Sequence, residues 1–187
     1  MQLLKNLCGI HAPSGDEEKM HAFLMEYIQS NMNSWVQQPL VLHGEDFQHC
    51  IVLVFGKPRT AVFAHMDNIG FHVRYENEIV KIGGPKTVSG YKLAGTDSKG
   101  YVECELHVNE EDNSLSYQNS RLIDSGTALS FKMNFREDNQ WVQSCYLDNR
   151  LGVYVALKLA ETLEDGIIVF SCWEEHGGGS VPYLTKY

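Results

Sequence analysis

The chain has 187 residues, is 43% hydrophobic and carries a net charge of −9, which suits one ordinary domain, or one domain with a small insertion, burying a real core. The acidic balance argues against a surface that tracks phosphates, so nucleic acid is not an expected partner. No apolar run approaches the roughly 18 residues needed to span a bilayer, so no membrane is expected either.

The opening MQLLKNLCGIHAPSG lacks a basic region followed by an unbroken apolar stretch, so it does not read as a secretory signal. The first clear element is a helix starting near Ser14. Ser14 and Glu17 fit an S-x-x-E capping box, and Met20, Phe23, Leu24, Tyr27 and Ile28 share one face. Residues 35–42 and 50–55 then read as strands, joined by the polar loop HGEDFQH as a hairpin. Residues 60–64 form a short, almost wholly apolar run ending in His65-Met66-Asp67, which suits a strand buried on both faces.

From about Tyr75 to Cys145 the texture changes to short alternating strands, such as residues 101–108 and 128–135, between turn signals such as Gly83-Gly84-Pro85 and Ser89-Gly90. Helical period returns at Asp148, where Leu151, Val155, Leu159 and Leu163 make a stripe. Asp165-Gly166 stops that helix, and residues 166–173 read as a buried strand running into Glu174-Glu175-His176 and three glycines. Helix followed by buried strand is half of a βαβ pattern. The expected fold is therefore α/β, a mixed and largely parallel sheet flanked by helices over 1–74 and 146–187, with a small all-β domain inserted over 75–145.

Five cysteines (Cys8, Cys50, Cys104, Cys145, Cys172) are widely spaced, with no C-x-x-C pair. Neither a zinc ribbon nor a thioredoxin-type motif is supported. They read as buried thiols of a protein in a reducing cytoplasm.

Three short segments put acids or imidazole at the end of a buried element: His65-Met66-Asp67, Asp148-Asn149-Arg150 and Glu174-Glu175-His176. Ligands of open α/β sheets gather just beyond the carboxyl ends of strands, so one sheet edge can assemble all three. Hydrolytic zinc takes imidazole and carboxylate donors and keeps a position open for water. In H-x-D, Asp67 is placed to accept the other N–H of a ligating His65, fixing its tautomer. Of two adjacent glutamates, one can bind metal while the other moves a proton. Taken singly, each has a plainer reading: a hydrogen-bonded histidine, a helix N-cap at Asp148, a solvated strand end. Their joint placement favours the metal.

The order AHMDNIGF, a β-rich stretch, LDNRLG and then WEEHGGGS resembles the glutamyl/tetrahedral aminopeptidase family of co-catalytic di-zinc exopeptidases, as does the opening LLKNL followed by APSGDEE. The likeness covers essentially the whole chain and is densest in the three motifs. It implies a zinc exopeptidase-like fold and hydrolysis of N-terminal residues of peptides. It implies two Zn2+ per complete site, with Co2+ as an alternative ion. By position, His65 would bind one zinc, Asp148 would bridge both and Glu175 would bind the second. Glu174 would be the general base, and Asp67 would support His65. The β-rich stretch would correspond to a dimerisation domain, implying a homo-oligomer.

The chain departs from the family at Asn149, where a second acid is usual, and at His176-Gly177-Gly178-Gly179, where V-G-x-R-G is frequent. His176 is either an extra ligand or, as its loop context favours, a histidine beside the site. The family also uses a further aspartate and a late histidine beyond the glutamate pair. With His65, Asp148 and Glu175 alone each zinc has two protein donors, against three in catalytic sites. The expectation is a truncated, N-terminal portion with weak or no metal binding, inactive by itself, and with an exposed sheet edge. A related amidohydrolase (deacylase or carboxypeptidase-like) and a non-catalytic assembly module are the competing functions.

Overall fold

The computed structural model describes residues 1–185. In chain order its elements are α1 (Gln2–Gly9), α2 (Glu18–Asn31), β1 (Leu40–Leu42), β2 (Ile51–Phe55), β3 (Ala61–His65), β4 (Gly70–Val73), β5 (Ile79–Ile82), β6 (Lys92–Asp97), β7 (Gly100–Val108), β8 (Leu115–Gln118), β9 (Ala128–Phe131), β10 (Arg136–Glu137), β11 (Val142–Gln143), α3 (Leu147–Ala160), β12 (Gly166–Ser171) and α4 (Val181–Leu184). No helix among them is long and apolar enough to cross a membrane.

The two most apolar runs, β2 and β12, lie side by side in a four-stranded sheet of order β1-β2-β12-β3. β2 pairs antiparallel with β1 and with β12, while β12 pairs parallel with β3. The sheet is mixed, as expected, but its parallel character is confined to that one pair. Helix α2 contributes Met20, Leu24 and Ile28 to the core over this sheet, the i, i+4, i+8 spacing of one helical face.

A second sheet of order β5-β4-β9-β6-β7-β8 has only antiparallel pairings. It closes on its own core of Phe71, Val73, Ile79, Leu93, Leu106, Tyr117 and Leu129, among others. Its first strand, β4, lies within 70–73, ahead of the expected boundary at residue 75. The chain leaves one sheet for the other within the four residues between β3 and β4.

Several local expectations change. The capping box does not form: α2 begins at Glu18, Ser14 is buried, and the Ser14 N–H donates to the Asn68 carbonyl (3.1 Å). The strand expected over 35–42 is reduced to its last three residues, with the chain bending over 35–37 after the 3-10 turn at Met32–Ser34. The helical stripe over α3 holds only in part: Tyr154, Leu159 and Leu163 pack against the core, but the first two stripe positions do not. Leu151 and Val155 are 46% and 56% exposed, whereas Arg150, Val153, Ala156, Leu157 and Ala160 are buried. Small alanines let the helix lie close to the sheet, and their low hydrophobicity hides that face from a pattern search. β3, expected to be buried on both faces, is an edge strand among the described residues. Its Ala61, Val62 and Phe63 are exposed, and only Ala64 and His65 are buried.

Candidate metal centre

The site assembles where β3 and β12 end side by side. Their parallel register sets Ser171 opposite His65, so His65 and the turn after β12 emerge at the same sheet edge. Trp173, entering that turn, takes a left-handed conformation (φ 61°), as does Tyr146 (φ 66°) ahead of Asp148. Such conformations are uncommon for bulky residues and concentrate at functional sites. Asp148 and Asn149 have non-helical backbone angles, and the peptide bond between them is cis.

His65 is 7% exposed, and its Nδ1 lies 3.2 Å from the Asp67 carbonyl oxygen and 3.3 Å from Asp67 Oδ1. With that nitrogen occupied, Nε2 faces the acids. It is 3.2 Å from Asp148 Oδ1 and 3.8 Å from Glu174 Oε2. One donor atom each from His65, Glu174 and Glu175 falls within 4.8 Å of the others. His65, Asp67, Asp148, Glu174 and Glu175, singled out on three distant segments, therefore converge. Asp148 is the most open of them, at 89% exposed.

Asp67 organises more than the imidazole. Fully buried, its two carboxylate oxygens accept the backbone N–H groups of Glu174 (3.2 Å) and Glu175 (3.0 Å). One carboxylate thus fixes both the ring and the turn that bears the glutamates. Burial alone pushes the Asp67 carboxyl up, but the His65 hydrogen bond and the Glu175 N–H pull it below its ordinary value. Burial likewise works against a charged His65, yet the Asp67 hydrogen bond and the charges of Asp67 and Glu174 raise the imidazole to about 9. Glu175 moves up through burial, with Asp67, Glu174 and Asp148 adding repulsion against the opposing pull of His65.

Four residues were not singled out as site residues. Glu17, the failed capping partner, accepts the N–H of Trp173 (3.1 Å) and of Gly15 (3.0 Å), tying the start of α2 to the glutamate turn. Arg150 is fully buried and donates to the Met66 carbonyl and to Asn68 Oδ1 (2.8 Å), bracing the chain on both sides of Asp67. Burial lowers its guanidinium to about 10. Asn68 also holds the Ala12 N–H (3.3 Å). Gly83, at φ +71°, lets Glu175 approach: a Cβ there would meet Ile69 Cγ2 at 2.8 Å and Glu175 Oε2 at 3.2 Å. Arg150 and Asn68 sat inside quoted motifs, but Glu17 and Gly83 carried no signal readable without the fold. His176 lies in the same short turn as the glutamates and does not belong to the cluster of donors within 4.8 Å.

The donor set, one imidazole and several carboxylates, suits a divalent transition ion. Nε2 and the carboxylates already face one another with Nδ1 engaged elsewhere, so the residues fit the group that the motifs imply.

No protein-family model and no curated protein matches the sequence. Solved structures do match in fold. The aminopeptidase APDkam598 of the archaeon Desulfurococcus kamchatkensis superposes with TM-score 0.79 at 21% identity, over 95% of this chain and 57% of its own. The Pyrococcus horikoshii TET1 peptidase, which can assemble into a tetrahedron or a large octahedral shell, gives 0.80 at 21% identity, over 100% of this chain and 64% of its own. A Thermotoga maritima protein described as an endoglucanase gives 0.72 at 17% identity, over 98% and 61%. The fold is thus the one shared by tetrahedral aminopeptidases, the family that the motifs resemble. The chain spans between 57% and 64% of the length of these three structures.

Proposed function

We propose that the polypeptide carrying this chain hydrolyses N-terminal residues of peptides at a divalent-metal centre. The observation that carries the reading is the convergence of His65, Asp148, Glu174 and Glu175, on a fold shared with aminopeptidases. His65 and Glu175 would each hold one ion and Asp148 would bridge the pair. Zinc suits these donors and Co2+ is the alternative. Bound there, such ions supply Lewis-acid polarisation of the scissile carbonyl and a more acidic water.

The protein's own part follows from geometry. Asp67 keeps Nδ1 of His65 engaged so that Nε2 stays directed at the carboxylates. Glu174, half exposed and anchored through its backbone N–H, is placed to take a proton from the attacking water and return it to the leaving amine. The five cysteines are free, which supports a reducing compartment such as the cytoplasm. Homo-oligomerisation through the six-stranded sheet, as an inserted domain, belongs to the same proposal, since a fold neighbour assembles into shells.

The test is turnover of aminoacyl anilides by the metal-loaded polypeptide, beside N-acylated peptides and a β-glucan. The expected result is release from free-amine substrates alone, lost on chelation and reduced about 10²–10⁴-fold in kcat by Glu174→Gln. Preference for the acylated peptide or the glucan, or undiminished turnover in the variant, would overturn it.

A further inference from the structure

A cavity of about 890 Å³ opens beside the metal centre, with Ile69, Gly84 and Tyr146 in its wall. Ile69 and Glu175 both flank Gly83, and Tyr146 stands two residues ahead of Asp148. The cavity therefore adjoins the catalytic edge. Its volume suits a drug-sized molecule, far more than one amino-acid side chain. Part of the wall is aromatic and preset. Phe131 meets Tyr91 edge-on, at 5.7 Å between centroids and 85°, and stacks on Tyr146 at 6.4 Å and 30°. The Tyr146 hydroxyl donates to the Phe131 carbonyl (3.0 Å), which fixes that ring.

The charge of the lining is the reverse of the whole chain's. The protein carries −9 overall, yet Lys86, Lys92, Lys132 and Arg136 line the cavity and no carboxylate does. Glu105 and Glu103 pair with Lys92 and Lys132. Among the described residues, Lys86 and Arg136 have no ion-pair partner. Arg136 Nε donates to Asn134 Oδ1 (3.4 Å), which leaves both terminal amino groups of the guanidinium for a ligand. That fork matches a carboxylate.

We propose that this cavity holds the body of a short peptide and binds its C-terminal carboxylate through Lys86 and Arg136. The direction of the peptide rests on the aminopeptidase reading, which sets the ammonium end among the acids of the metal centre. One end of the zwitterion then meets carboxylates and the other meets cations. Charge complementarity thus selects peptides short enough to span both, and the aromatic wall takes the side chains between. A carboxylate on the first residue's side chain has the same chemistry, so the experiment separates the two sources.

The test is a 15N NMR titration of backbone amides in the polypeptide carrying this chain, with metals removed by chelation so that no peptide is cut. The probes are trialanine, its C-terminal amide, and glutamyl-dialanine amide, whose sole carboxylate is on the first side chain. Trialanine should saturably shift the amides of Lys86, Gly90, Arg136 and Gln143, which line the cavity. Both amidated probes should bind about 5–30-fold more weakly. Lys86→Met and Arg136→Met should each narrow that gap, as should added salt. Equal affinity for trialanine and its amide, no saturable shift at those positions, or a gap intact in both variants would overturn the proposal. Full affinity for the glutamyl amide would overturn it too, by placing the carboxylate at the first residue. No readout here depends on turnover, so failure of this site and failure of the anilide assay are separate results.

Discussion

The two sheets handle charge in opposite ways. On the six-stranded sheet, acids are matched to bases: Lys92 with Glu105, Lys132 with Glu103, and Arg121 with Asp97 (2.9 Å). At the edge of the four-stranded sheet, Asp148 and Glu174 approach one imidazole, and among the described residues neither pairs with a lysine or arginine. The apolar surface divides likewise. β4 and β9 bury Phe71 and Leu129 completely, whereas β3 leaves Val62 and Phe63 exposed. The first region matches these charges in pairs. The second holds an acid surplus around a fixed histidine, a donor set that suits a divalent cation.

Substitutions should break this contrast in order of size. Phe71→Ala, at the centre of the closed core, should cost about 3–5 kcal/mol, read from chemical denaturation. Arg150→Met should cost about 2–3 kcal/mol by stranding the Met66 carbonyl and Asn68. It should also broaden the Asp67 and Glu174 amide resonances, which Phe71→Ala would leave alone.

Protonation gives the next pair. His65, raised to about 9 against an ordinary value of about 6.5, stabilises the metal-free fold fully below that ordinary value. The contribution is lost as pH rises through about 9. Urea midpoints of chelated protein should therefore fall across that window, and His65→Gln should flatten the curve. Asp97, held down to about 2 by Arg121, acts at the other end: its contribution is present above about pH 4 and is lost as pH falls through about 2. Asp97→Asn should remove that acid-side slope without touching the alkaline one. The smallest effect belongs to the open edge. Phe63→Lys should change stability by no more than about 0.5 kcal/mol while reducing self-association measured by sedimentation.

Much of this layout was legible in the residues. The His65 and Glu174-Glu175 motifs follow β3 and β12, whose parallel register brings them to one edge as strand ends in open sheets tend to do, and Asp148 joins them from the start of α3. What escaped depends on distance along the chain. Glu17 looked like a helix cap because local spacing cannot reveal that its partner is Trp173, 156 residues away. The buried face of α3 went unseen because Ala156 and Ala160 pack closely yet weigh little in a hydrophobic pattern, while Leu151 and Val155 weigh more and face outward. β4 escaped because Asp67, Asn68 and Gly70 read as part of the His65 motif and not as a change of sheet. Gly83 made sense only once Glu175 was found against it.

The most direct measurement is anomalous diffraction at the zinc edge from crystals of the polypeptide that carries this chain, grown with Zn2+. The account predicts a peak within bonding reach of His65 Nε2 and the Asp148 and Glu175 carboxylates. Crystals that bind zinc elsewhere but leave those three side chains without a peak would contradict it.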